Sequence, residues 1–171
     1  MSAFIYCLKQ LILLGERSES TLNTLVMKKK LVEIMEWDER YRLKLINSIS
    51  GYKGAHLIGT KTESGLTNLA IFNSIVHIGS SPPLIGFIMR PLSAERHTYN
   101  NIIETGHYTL NHVHKSFLKK AHYTSAKFPQ NTSEFEACDL TPEFSNSFFA
   151  PYVNESNIKI GLKLIEDNEV K

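Results

Sequence analysis

Three stretches of this 171-residue chain collect side chains able to hold a ligand. The first, Gly65-Leu66-Thr67-Asn68-Leu69-Ala70-Ile71-Phe72-Asn73-Ser74, mixes small and polar residues into a run otherwise suited to a strand. A flat ring can lie against such a strand, with backbone N–H and C=O groups at its polar edge and Asn68, Asn73 and Ser74 supplying side-chain hydrogen bonds. A strand with one polar face is the plainer account of the same residues. The second stretch, Arg90 to Ile102, brings Arg90, Arg96, Ser93 and Thr98 to the start of a helix. An exposed helix N-terminus offers N–H groups and the positive end of its dipole to a phosphate, and a guanidinium adds planar charge-assisted bonds. The alternative is a helix capped by Ser93 with both arginines in solvent. The third, Ala121 to Phe128 followed by Ser133-Glu134-Phe135, gathers His122, Ser125 and Lys127 on a loop that can wall a pocket, although a surface loop explains it equally well.

Histidines raise a metal reading. His112 and His114 stand at alternate positions of a strand and so share a face, with His107 and His122 close by in sequence. Two such imidazoles can ligate a divalent ion, but no carboxylate or cysteine completes the set at a familiar spacing, and no metal ligand is assigned.

The elements that must position these groups follow from pattern. Apolar residues between Lys30 and Ile46 recur at mixed three- and four-residue spacings, which predicts a short, interrupted helix. After Gly51 the pattern turns to short strands at 55–61, 66–72, 74–79 and 84–90, with Thr62–Gly65 as a hairpin loop and Ser80–Pro83 as a strand stop. A helix over 94–105 ending at Gly106 and a strand over 107–114 come next. Residues 115–146 read as a loop-rich excursion with helical stretches near 117–122 and 133–138. Strands resume at Phe148 and again at Ile158, where Ile158, Ile160, Leu162 and Leu164 alternate onto one face. Many short strands with one inserted helix predict a mainly β fold, a barrel or sandwich with short helices.

Composition bounds the rest. One ordinary domain is the size expected, 42% of residues are apolar and 21% charged, and a net charge of +2 gives no large field for a nucleic acid or an anionic membrane. Two distant cysteines, Cys7 and Cys138, suit a reducing cytoplasm. The apolar start is broken by Lys9 and lacks a basic leader, so neither an export signal nor a spanning helix is expected. Met27-Lys28-Lys29-Lys30 reads like a start, which makes residues 1–26 an extension outside the fold and 27–171 the domain.

Taken in order, LIGTKTESGLTNLAIFNSIVHIGSSPPLIGFIMRP, RHTYNNIIETGHYTLNHV, AHYTSAKF and SEFEA resemble the flavin reductase-like family, whose fold is the FMN-binding split barrel. The resemblance spans roughly Ile46 to Leu164. It implies that Asn68, Ala70, Ile71, Phe72, Asn73 and Ser74 line the flavin ring and ribityl chain, that Arg90, Arg96 and Thr98 lie towards the phosphate, and that Asn101 braces the helix. Ser125 and Lys127 follow from the loop wall, with His122 as a proton donor if it reaches the ring.

The implied chemistry is electron transfer from NAD(P)H through FMN to an acceptor the sequence does not specify, in a homodimer whose subunits both shape the pocket. No protein nucleophile is needed, because the cofactor carries the reactive atom. A non-enzymatic FMN-binding protein is the alternative. The family's barrel continues with further strands past the position of Lys171, so an incomplete barrel or inactive truncated copy is a further expectation.

Overall fold

The computed structural model describes the backbone of residues 10–14, 26–89 and 96–168, with side chains from residue 29 onward within those ranges. Two compact units divide at Tyr52, the second running from Lys53 to Glu169.

In the first unit, β1 (Gln10–Leu14) pairs antiparallel with β2 (Val26–Lys30), Gln10 opposite Lys30 and Leu14 opposite Val26. The interrupted helix expected from the sequence is two helices, α1 (Leu31–Met35) and α2 (Glu39–Ser48). The break is made by Asp38, whose side chain accepts from the N–H groups of Arg40 and Tyr41 at 3.1 Å and so opens the second helix.

The second unit is built on a four-stranded antiparallel sheet. Its strands are β3 (His56–Lys61) and β4 (Thr67–Phe72), then, after the ribbon β5 (Ile75–Ser80) and β6 (Pro83–Phe87) and the helix α3 (His97–Thr105), β7 (His107–His112). A 3-10 turn at Lys115–Phe117 leads into α4 (Leu118–Tyr123) and α5 (Glu134–Ala137). The ribbon β8 (Pro142–Ser145) and β9 (Phe148–Val153) follows, and β10 (Lys159–Lys163) returns to the sheet, whose order is β10-β7-β3-β4. The expected hairpin closes at Thr62–Gly65, where Thr62 N donates to Leu66 O at 2.9 Å and Gly65 takes the positive φ of 98° that a side chain would resist. Helix α3 likewise stops at Gly106, φ 68°, whose N–H reaches Ile102 O at 2.8 Å.

Period-two alternation distributes the core over both faces of this sheet. Leu57 and Leu69 join Phe117, Ala121, Phe135, Cys138, Leu140 and Val153 on one side. Ile58, Tyr108 and Leu110 join Ile102 of α3 on the other, flanked by Phe72, Ile85 and Phe87. Between the sheet and β9 the contacts are polar. Thr109 donates to Pro151 O at 2.6 Å, and Asn111 Oδ1 accepts from Val153 N at 3.0 Å, so β7 side chains substitute for a strand ladder there.

The sequence reading named neither the β1–β2 ribbon nor one strand of the second unit. β8 lies inside the stretch taken as a loop-rich excursion, because four residues opening on proline, with Glu143 and Phe144 exposed, carry no alternation of their own and take strand form from pairing with β9.

Candidate functional site

The hairpin end of the sheet and the first turn of α3 are tied by a buried polar network. Asn68 Nδ2 of β4 donates to Thr98 Oγ1 of α3 at 2.9 Å and to Thr60 Oγ1 of β3 at 3.3 Å. Asn101 Nδ2 donates to the same Thr60 hydroxyl at 3.0 Å. All four side chains are buried, so each polar atom must find a partner within the protein, and one arrangement of strand against helix satisfies them together.

Arg96 precedes α3 outside the helical conformation, and no side chain caps the helix. Its first turn thus presents backbone N–H groups outside the helix's own ladder, with the positive end of the dipole. Arg96 Nε is buried, and among the described residues no hydrogen-bond partner meets it. Next to this turn opens a cleft of about 470 Å³, lined by Thr62, Ser64, Leu66 and Thr67 of the hairpin, Asn68, His97, Asn100 and Asn101, and closed by Gln130-Asn131-Thr132. Hydroxyls and carboxamides dominate the lining, and among the described residues no lysine, arginine or carboxylate belongs to it.

Behind the cleft, α5 covers the edge of β4. Ser133 Oγ meets Thr67 Oγ1 at 2.6 Å, and Glu134 accepts from Leu69 N at 3.0 Å, which satisfies an edge-strand donor. Burial pushes the Glu134 carboxyl above its ordinary value, against the opposing pull of the N–H bonds from Leu69 and from its own backbone and of the His97 charge.

The residues singled out from sequence are brought together unequally. Asn68, Thr98 and Asn101 meet directly, with Arg96 two residues before Thr98. Phe72 shares the α3 face of the sheet with Asn68 and Ala70 by alternation, whereas Ile71 turns to the opposite face and packs with Leu69. Asn73 is exposed, and Ser74 donates to Ile88 O at 2.8 Å. His122, Ser125 and Lys127 are exposed and lie outside the cleft lining, with the Ser125 hydroxyl bonded to His122 O. Arg90 and Ser93 fall outside the described residues, and the helix expected from 94 begins at His97.

Sequence reasoning missed Thr60, Thr62, Ser64, His97, Asn100 and the Gln130–Thr132 loop. The run of hydroxyl and carboxamide residues at 130–132 was the available signal. His112 finds its neighbour across the sheet, not two residues on: its ring meets that of His56, while His114 lies past the strand end and accepts from Ser116 N. Among the described residues no group of three or more histidine, cysteine or acidic side chains converges for a metal.

Residues 52–171 match the flavin reductase like domain. The chain belongs to that family. Its likeness extends to a crystal structure of a proposed flavin reductase with a split barrel domain from Shewanella frigidimarina, at 47% identity and a TM-score of 0.79, covering 82% of this chain and 70% of the other. Nitrilotriacetate monooxygenase component B from Bacillus cereus is 27% identical with a TM-score of 0.70, covering 77% and 66% of the two chains. Flavoredoxin of Desulfovibrio vulgaris is 27% identical at a TM-score of 0.62, covering 71% and 68%. A relative from Aquifex aeolicus is 28% identical over 109 residues, and the chain spans 56% of its length.

The flavin reductase-like fold is therefore the expected one, mainly β with short helices, and family membership implies flavin binding. Among the described residues the ladders form one four-stranded and three two-stranded sheets and do not close into a ring. No described helix is long and apolar enough to cross a membrane.

Proposed function

We propose that this flavin reductase-like protein binds FMN and passes electrons from NAD(P)H to an acceptor, as a homodimer in the cytoplasm. The observation that carries the reading is the Asn68–Thr98 bond, which fastens the proposed flavin-facing strand to the helix mouth where Arg96 holds a buried Nε with no partner among the described residues. A buried donor without a partner is rare and costly, and a phosphate oxygen is the acceptor that best suits a guanidinium at a helix N-terminus. The residues present thus fit a phosphorylated flavin.

A bound flavin supplies the ring that accepts hydride. Around it the protein's own groups bind and orient. Arg96 and the first turn of α3 hold the phosphate, the α3 face of β4 bearing Ala70 and Phe72 supports the ring, and the hydroxyl and carboxamide lining of the cleft receives the ribityl hydroxyls. Membership of the family and the likeness to a monooxygenase component and a flavoredoxin support an electron-transfer role without naming the acceptor.

The test is spectroscopic. Purified protein mixed with FMN and dialysed should retain the visible flavin absorbance, and anaerobic addition of NADH or NADPH should bleach it within the mixing period. Retained flavin that neither nucleotide reduces would identify a passive FMN carrier; failure to retain FMN would overturn the reading.

A further inference from the structure

We propose that His56 and His112 form a two-histidine site for one divalent transition-metal ion of the imidazole-preferring kind, zinc, copper or nickel, with water completing its shell. The two residues are direct cross-strand partners in the β3–β7 ladder, so the backbone register itself brings their rings into contact. Their ring centroids stand 4.7 Å apart with planes at 87°. Metal–nitrogen bonds of about 2.0–2.1 Å place two adjacent imidazoles on one square-planar or tetrahedral ion with centroids roughly 4.5–5.2 Å apart. The observed spacing of 4.7 Å leaves the two rings close enough to share an ion.

The surroundings prepare His56 as a ligand. Its Nδ1 lies 3.2 Å from Gly54 O, and that carbonyl can only accept, so the proton belongs on Nδ1 and the lone pair on Nε2. A metal-binding histidine is commonly oriented by such a carbonyl bond from its other nitrogen. Gly54 also lies against the ring, since a Cβ there would come within 2.7 Å of His56 Cε1. On the strand, His56 stands four residues from Thr60, roughly 13 Å from the polar network, so metal and flavin binding are read separately.

Calorimetric titration of the flavin-free protein with zinc chloride at pH 7.5 should give one ion per chain, weakened at least tenfold in both His56→Gln and His112→Gln, with far-ultraviolet circular dichroism confirming that each variant is folded. In the unaltered protein, nickel chloride should broaden the His56 and His112 ring proton signals before those of any other histidine. Unchanged zinc affinity in both variants, no binding at millimolar zinc, or earlier broadening at other histidines would overturn the site.

Discussion

Asn68 and Thr98, thirty residues apart in the chain, are joined by a 2.9 Å hydrogen bond from the Asn68 amide to the Thr98 hydroxyl. The same amide reaches Thr60, so strand, neighbouring strand and helix share one buried cluster. Thr98 thereby has a structural partner of its own, which alters what its replacement reports.

Thr98→Val is expected to destabilise the protein by about 1–3 kcal/mol, because an Asn68 N–H is left buried without its acceptor. Flavin affinity should fall through loosening of α3, and to the same extent for riboflavin and FMN. Urea unfolding and fluorescence titration with both flavins measure the two effects.

Arg96→Ala should behave differently. Its guanidinium has a buried nitrogen with no partner in the described protein, so its removal is expected to weaken FMN by about 1.5–3 kcal/mol while riboflavin, which lacks the phosphate, changes little. Equal losses for both flavins would remove Arg96 from phosphate binding.

Glu134 predicts a pH dependence. Its folded-state pKa is raised above the ordinary 4.5, chiefly by burial, so the folded protein binds more protons than the unfolded chain between the two values. The group's contribution to stability is therefore full below about pH 4.5 and declines as pH rises through the raised folded value. Glu134→Gln keeps an acceptor for Leu69 N and removes the titration. The difference in unfolding free energy, variant minus wild type, should rise between pH 4.5 and 7; a flat difference would refute this.

Asn111→Leu should be among the most damaging conservative-volume changes in the sheet. Asn111 accepts from Val153 N and donates to Leu57 O and Thr109, all buried. Stranding such groups costs about 1–3 kcal/mol each, and the loss should appear as a lowered urea midpoint with protection lost first at the Val153 amide.

Much of this protein was legible before its coordinates. Gly65 and Gly106 announced a hairpin and a helix end because both require positive φ, and the short strand-like runs at 55–61 and 107–114, bounded by turn signals, announced strands. Asn68 was singled out for the flavin ring and ribityl chain, Arg96 and Thr98 for the phosphate and Asn101 as a brace of the helix; Asn68, Thr98 and Asn101 share one hydrogen-bond network, and Arg96 precedes Thr98 by two residues. What only the tertiary structure decided is who meets whom. Local pattern does not reveal that Asn68 spends its amide on Thr60 and Thr98, that Gln130–Thr132 closes the cleft while His122 and Lys127 face solvent, or that His112 pairs with His56 and not His114. Apart from Thr60, eight residues from Asn68 across the hairpin, those partners are thirty or more residues apart, and strand register and the docking of α3 and α5 on the sheet, properties of the whole packed unit, choose among them.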